Sequence, residues 1–279
     1  MYLKDDNDLW KKSVNVIYDL EYSGNLKHRL GKECCIWEIA AKSGNHTFHV
    51  LINPYLTHSY VPPPVHERYS MPSEQEFYEK GAIAFDVAIH LFMVFLQGLM
   101  KSEDQHIVLM SHNGFRGDKI VLENEIIRHH LHNKMMTIKL FFFDTLYFIR
   151  DKLPDRESYS ISNLYKDIFE EEIQDVHTAQ SDVDALEQIL KYINQPFEGS
   201  IFMMFLTPFS NVRGIGKGMQ KKFFQAGFTS LEHFFYIVGI DIGNINNALL
   251  NHGIMYGDIY KVNCIATELY NYGLMKLIL

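Results

Sequence analysis

Three strand-like runs in succession, followed by alternating helix-like and strand-like segments, restrict the folds open to this chain more than any single motif does. Apolar runs at 14–18, at CCIWEIAAK (34–42) and at HTFHVLINP (46–54) read as strands, and Gly44-Asn45 supplies a hairpin turn between the last two. The result is a three-stranded meander. After a proline-interrupted loop over 57–73, EQEFYEKGAIAFDVAIHLFMVFLQGLM carries apolar residues at helical spacing and predicts one long helix. QHIVLMSHNG predicts a strand stopping at a glycine turn, and GDKIVLENEIIRHHLHNK the helix after it. LFFFDTLYFIRDK begins as a buried strand, while SISNLYKDIFEE and SDVDALEQILKYI predict helices. The order β-β-β-α-β-α-β-α-α predicts an α/β domain, a mixed sheet flanked by helices. NQPFEGS (194–200) reads as a linker, and beyond it glycines punctuate short helical segments without strand alternation. Two domains are expected, 1–196 and a small all-α domain over 197–279.

A hydrophobic content of 47% over 279 residues supports a core without staples. The three cysteines, two of them adjacent at Cys34 and Cys35, match neither a disulfide framework nor a zinc spacing and are expected as core thiols in a reducing compartment. MYLKDDNDLWKK holds no apolar signal segment, and Asp86, His90 and Gln97 interrupt the longest apolar stretch. The expectation is a soluble intracellular protein, in cytoplasm or nucleus, with no membrane partner. A net charge of −8 argues against a generally basic, polyanion-binding surface, but the charge is uneven. Nearly all the excess acid lies in 1–196, whereas VRGIGKGMQKK (212–222) has four basic residues and no acidic one.

VIYDLEYSG (16–24) ends a buried strand in two acids. Residues i and i+2 of a strand share a face, so Asp19 and Glu21 converge while Leu20 turns into the core. Converging carboxylates repel unless something cationic lies between them. Taken alone, this stretch is equally compatible with a solvated acidic turn. LMSHNGFRGDKIVL, however, places Asp118 where a helix begins beside a strand end, and HTAQSDVDAL places His177 five residues before Asp182 at a helix start. Four carboxylates and one imidazole are the inventory of a two-metal phosphodiester site, with hard oxygen ligands for Mg²⁺ or Mn²⁺ and a base for the attacking water.

At these residues the chain resembles the DEDDh exonucleases, the DnaQ-like branch of the ribonuclease H-like superfamily that includes proofreading domains and stand-alone 3′-repair exonucleases. DLEYSG is similar to the first motif, SHNGFRGDKIVL to the second and HTAQSDVDAL to the third, while FFFDTLYFIRDKL and SISNLYKDIF resemble the connecting strand and helix. The likeness runs from about residue 14 to 195. One departure is Gly117, where the family usually has an aromatic residue before the second-motif aspartate. The resemblance implies a ribonuclease H-like mixed sheet in which Asp19, Glu21, Asp118 and Asp182 hold two Mg²⁺ or Mn²⁺ ions about 4 Å apart, Asp19 bridging both. It implies His177 as general base, and contacts to the terminal nucleotide from the backbone of Leu20 to Ser23 and the side chain of Asn113. The implied activity is release of 5′-mononucleotides from 3′ ends. DNA is the favoured nucleic acid, a 3′→5′ exoribonuclease is the nearest alternative, and a catalytically silent nucleic-acid-binding module is the reading from another class. Oligomeric state stays open.

NVRGIGKGMQKKFFQAGFTSLEHFFYI (211–237) resembles a helix-hairpin-helix motif. Gly214 and Gly216 would let backbone amides at a helix start approach a phosphate, Lys217, Lys221 and Lys222 would add long-range attraction, and Ile215 would anchor the turn. A glycine turn used only for packing or dimerisation is the alternative. RHHLHN (128–133) lacks a third metal partner on its helix and reads as surface or satisfied histidines.

Overall fold

Among the described residues, seven strands form a single sheet in the order β1-β7-β6-β5-β2-β3-β4: β1 (Tyr2–Lys4), β2 (Ser13–Ser23), β3 (Cys35–Ser43), β4 (His46–Leu51), β5 (His106–Ser111), β6 (Leu140–Asp144) and β7 (Ile201–Met204). The computed structural model describes residues 2–4, 10–24, 33–63, 71–135, 137–174, 178–197, 201–204, 209–226, 228, 230–256 and 258–278. These form two units, Tyr2–Met203 and Met204–Leu279. In the first, β2 pairs antiparallel with β3, which pairs antiparallel with β4, giving the expected meander. β2 also runs parallel to β5, and β5 parallel to β6. Strands buried on both faces read as continuous apolar runs, which is why β5 and β6 lack alternation and Phe141, Phe142 and Phe143 are all buried.

The helices of this unit are α1 (Glu74–Glu79), α2 (Phe85–Leu99), α3 (Asp118–Arg128), α4 (His132–Met135), α5 (Thr145–Lys152), α6 (Ile161–Phe169) and α7 (Ala179–Ile193). A mixed sheet flanked by helices is the expected α/β class. α7 packs on β2 and β3. Lys42 of β3 holds it there, its Nζ lying 2.5 Å from Asp184 and 3.0 Å from Glu187.

Two expectations fail in physically informative ways. The single helix over 74–100 is broken into α1 and α2. Ser73 and Glu76 form a capping box that starts α1, and Gly81, at φ +68°, turns the chain so that Ile83 can bridge Ile52. The region after 200, expected to be purely helical, opens with β7, which pairs antiparallel with β1. Phe197, in the stretch read as a linker, packs on Trp10, Phe143 and Phe148.

The second unit has its own apolar core, with Phe209, Phe223, Phe234, Leu249 and Leu269 at its centre. Its helices are α8 (Lys217–Gln225), α9 (Leu231–Val238), α10 (Ile242–Asn251) and α11 (Ile259–Ile278). Among the described residues no helix is long and apolar enough to cross a membrane. Cys34 and Cys35 are buried thiols, whereas Cys264 is exposed.

Candidate active site

The carboxyl ends of the parallel strands β2, β5 and β6 lie side by side, with Ile17 paired to Met110 and Ser111 to Asp144. Loops leaving such an edge converge, and polar residues there can share a site. β2 continues past this edge, carrying Asp19 and Glu21 on one face. Cross-strand partners on β3 are Ala40 opposite Asp19 and Glu38 opposite Glu21. The small Ala40 leaves space over Asp19, and Glu38 adds a fifth acid, buried and 2.9 Å from His49 Nε2. Hydrogen bonding to Glu38 raises the pKa of His49, favouring an imidazolium that offsets this inner charge.

Asp182 comes from the first turn of α7, which Thr178 caps by accepting from the Ser181 N–H. Asp19, Glu21 and Asp182 bring carboxylate oxygens within 4.8 Å of one another. Asp118, the first residue of α3, is buried nearby. Burial, then Asp118, Asp182, Glu21 and Glu38, push the Asp19 carboxyl well above the ordinary range. Burial followed by Asp182, Glu38 and Asp118 lifts Glu21 to about 8. For Asp118, burial dominates and Asp144 adds to the rise. All the charges named here as acting on Asp19 and Glu21 are carboxylates, so the donor set is hard and anionic. It fits a hard divalent cation.

This repulsion predicts how stability responds to pH. A carboxyl whose folded pKa lies above its unfolded value contributes stability that is fully present below the unfolded pKa and lost as pH rises through the folded one. With Glu21 near 8, the melting temperature in EDTA is expected to fall as pH rises from about 5 to about 8.5, and Mg²⁺ should cancel most of that fall. Thermal melts across that window, with and without Mg²⁺, check it. A flat or rising EDTA profile would contradict the crowding of charges.

The turn before Asp118 is held by one residue that sequence reasoning passed over. Asp144 accepts hydrogen bonds from the N–H groups of Asn113 (2.9 Å), Phe115 (3.1 Å) and Leu146 (3.0 Å). One carboxylate thus joins the end of β6, the turn and the start of α5. Glycine is required at 114 because a Cβ there would overlap the Ser111 hydroxyl. At Gly117, a Cβ would lie 3.3 Å from the Tyr22 hydroxyl, so Tyr22 of β2 occupies space beside the residue that departs from the family pattern. α3 nevertheless begins at Asp118.

A cleft of about 490 Å³ opens over these groups, lined by Asp19, Asp182, His112, Asn113, Arg150 and Tyr159 together with Leu146 and residues 160–162. Of the expected nucleotide contacts, Asn113 lines it, its backbone left-handed at φ +60°. The Leu20 side chain is buried and the Ser23 hydroxyl donates to the Cys35 carbonyl at 3.4 Å, while the contacts expected from Leu20 to Ser23 are those of the backbone. Arg150, His112 and Tyr159 were not anticipated. They sit on separate elements; His112 carried a signal as part of SHNGFRGDKIVL and Arg150 as a hydrophobic break in the helix after β6, whereas Tyr159 carried none. His177 lies outside the described residues.

In the second unit Ile215 is buried, as expected of an anchor, and Gly214 takes φ +85°. Gly216 and Lys217 are exposed at the start of α8, as are Lys221 and Lys222. Before this turn, the described residues form a 3₁₀ turn at Phe209–Asn211.

The chain matches no protein-family model and no curated protein sequence. Among solved structures it is similar to E. coli exonuclease I in complex with a dA16 oligonucleotide, at 16% identity and a TM-score of 0.45 over 64% of this chain and 41% of that one. It thus spans less than half the length of exonuclease I. It is also similar to S. pombe Pop2p in an Mg²⁺- and Mn²⁺-bound form, at 16% identity and a TM-score of 0.46 over 69% of this chain and 88% of that one.

Proposed function

We propose that this chain is a metal-dependent 3′→5′ exonuclease that removes 5′-mononucleotides from DNA 3′ ends. The observation that carries the reading is the convergence of Asp19, Glu21 and Asp182 within 4.8 Å, with Asp19 and Asp182 lining a cleft that Asn113 and Arg150 also line. Crowding buried carboxylates is costly unless cations offset them. Two Mg²⁺ or Mn²⁺ ions held by Asp19, Glu21, Asp118 and Asp182 would activate water and offset charge on a phosphodiester. The remaining work falls to the protein's own groups. Asn113, fixed through its backbone by Asp144, orients the terminal nucleotide. Arg150 offers a guanidinium to phosphate oxygens. His177 accepts the proton of the attacking water. The polarity and product of the reaction come from the motif resemblance.

DNA and RNA oligonucleotides of matched sequence, labelled at either end and digested with Mg²⁺ or EDTA, test this. The expected result is early release of the 3′ label as a mononucleotide from DNA, a shortening ladder from the 5′ label, and no reaction in EDTA. Hydrolysis of RNA alone would make the enzyme an exoribonuclease. Binding without hydrolysis under any divalent ion would leave the silent binding module.

For the second unit we propose grip rather than chemistry, with Gly214, Gly216, Lys217, Lys221 and Lys222 meeting the nucleic-acid backbone. The exposed lysines beside an exposed glycine turn support it, since the catalytic candidates lie on an acidic part of the chain. Each Lys–phosphate contact releases counterions, so Lys217→Glu with Lys221→Glu is expected to make the slope of log affinity against log salt shallower by about 2 units on duplex DNA. Unchanged affinity and slope for long DNA would leave the turn a packing element.

A further inference from the structure

A second cluster of metal-ligating side chains lies apart from the acidic site, and it joins two segments distant in sequence. His58 follows the 3₁₀ turn Pro54–Leu56, while Glu125 and His129 stand one turn apart at the end of α3. Their ligand atoms all lie within 4.8 Å of one another. His58 Nε2 is 3.4 Å from Glu125 Oε2, and His129 Nε2 is 3.8 Å from Glu125 Oε1. Both imidazole Nε2 atoms are buried without a hydrogen bond, and the His58 side chain is only 8% exposed. We propose that His58, Glu125 and His129 bind a zinc ion that pins the loop after β4 to the end of α3.

Three features support the assignment. A tetrahedral ion with bonds of about 2.0–2.1 Å spaces its ligand atoms about 3.3–3.4 Å apart; His58 Nε2 and Glu125 Oε2 already stand at that spacing, while His129 Nε2 faces the other carboxylate oxygen at 3.8 Å and would close in on the ion. A buried polar nitrogen without a partner carries a desolvation cost that a coordinate bond would remove. Glu125 is fully buried and already oriented, its Oε2 accepting from the Ile36 N–H at 3.3 Å and its Oε1 held by Arg128. Ligating carboxylates are commonly fixed by such outer contacts. The ring of His129 is fixed in turn against Phe85, with centroids 4.8 Å apart.

Two imidazoles and one carboxylate favour zinc over the hard Mg²⁺, which separates this site chemically from the all-oxygen acidic cluster. With three protein ligands, water completes the tetrahedron. The helical pair Glu125 and His129 has the i, i+4 spacing that puts two ligands on one face. The third partner missing from RHHLHN when the helix is read alone comes from a loop some seventy residues upstream.

The test is zinc binding by the full chain, measured against a chromophoric chelator. An Asp19→Asn, Asp182→Asn background disables the acidic cluster, and Co²⁺ substitution reports geometry. One equivalent of Zn²⁺ is expected to bind in that background, with a tetrahedral Co²⁺ spectrum. His58→Gln and His129→Gln should each weaken Zn²⁺ affinity by at least about a hundredfold. If either substitution unfolds the chain, the Co²⁺ spectrum in the background protein still decides: two nitrogen ligands and four-coordination support the site, and an octahedral oxygen-only spectrum overturns it. No uptake of Zn²⁺ in that background, or undiminished affinity in folded His58→Gln and His129→Gln, would leave the three residues as a buried polar network.

Discussion

Replacing Asp19 with Ala is expected to cut nucleotide release at least a thousandfold, a loss of about 4 kcal/mol of transition-state stabilisation. Asp19 lies at the heart of the cluster: Asp118, Asp182, Glu21 and Glu38 all act on it. That is the position from which one carboxylate could serve two ions. The substitution should spare the fold. Asp19 stands on β2 between the buried Tyr18 and Leu20, which keep their packing, and its cross-strand neighbour is the small Ala40. Removing one of several repelling charges should also raise, not lower, the melting temperature in EDTA at pH 8. A lost rate with an intact or raised melting temperature therefore separates a ligand from a structural residue. Near-wild-type turnover, with contaminating nuclease excluded, would remove Asp19 from the chemistry.

What could be read from sequence was whatever local periodicity encodes. The two-residue period of a strand predicts that Asp19 and Glu21 share a face, and β2 carries both beside Asp182. The continuous apolar runs of β5 and β6 likewise predict buried strands. Pattern fails where the deciding contact is distant. Apolar spacing carries straight through 74–99, so nothing local reveals that Ile83 leaves the helix to meet Ile52; Gly81 is the trace of it. β7 is four residues long and takes its place in the sheet between β6 and β1, the latter at the other end of the chain segment. Glu38 looks like a break in a strand until its register places it opposite Glu21. Asp144 stands in FFFDTLYFIRDKL with no local mark of its role. Its three backbone hydrogen bonds depend on a turn some thirty residues away. Arg150 and Tyr159 reach the cleft from separate segments, and the Arg150 guanidinium lies over the Tyr159 ring at 5.1 Å. Recognising that pairing needs the fold itself.

His177→Ala is expected to lower the rate by about 10²- to 10⁴-fold while leaving divalent-ion affinity largely intact, because a general base need not be a ligand. Two histidines compete for this role. His112 lines the cleft, yet its Nε2 donates to the Tyr159 carbonyl at 2.6 Å and its Nδ1 lies 3.2 Å from the Thr145 hydroxyl. Burial, reinforced by the Arg150 charge against the opposing pull of the Tyr159 carbonyl, lowers its pKa to about 4. A ring engaged at both nitrogens and reluctant to take a proton positions Tyr159 and Thr145; it is a poor acceptor near neutral pH. His177 immediately precedes Thr178, the residue that caps α7, and Asp182 follows in the first turn of that helix. The proposed role therefore stays with His177. Its variant should lose the acidic limb of the pH–rate profile, since that limb reports protonation of the base. His112→Gln should keep the limb, losing rate only through a loosened cleft wall. If His177→Ala keeps both rate and acidic limb while His112→Gln loses them, the base is His112 and the motif resemblance has misassigned it.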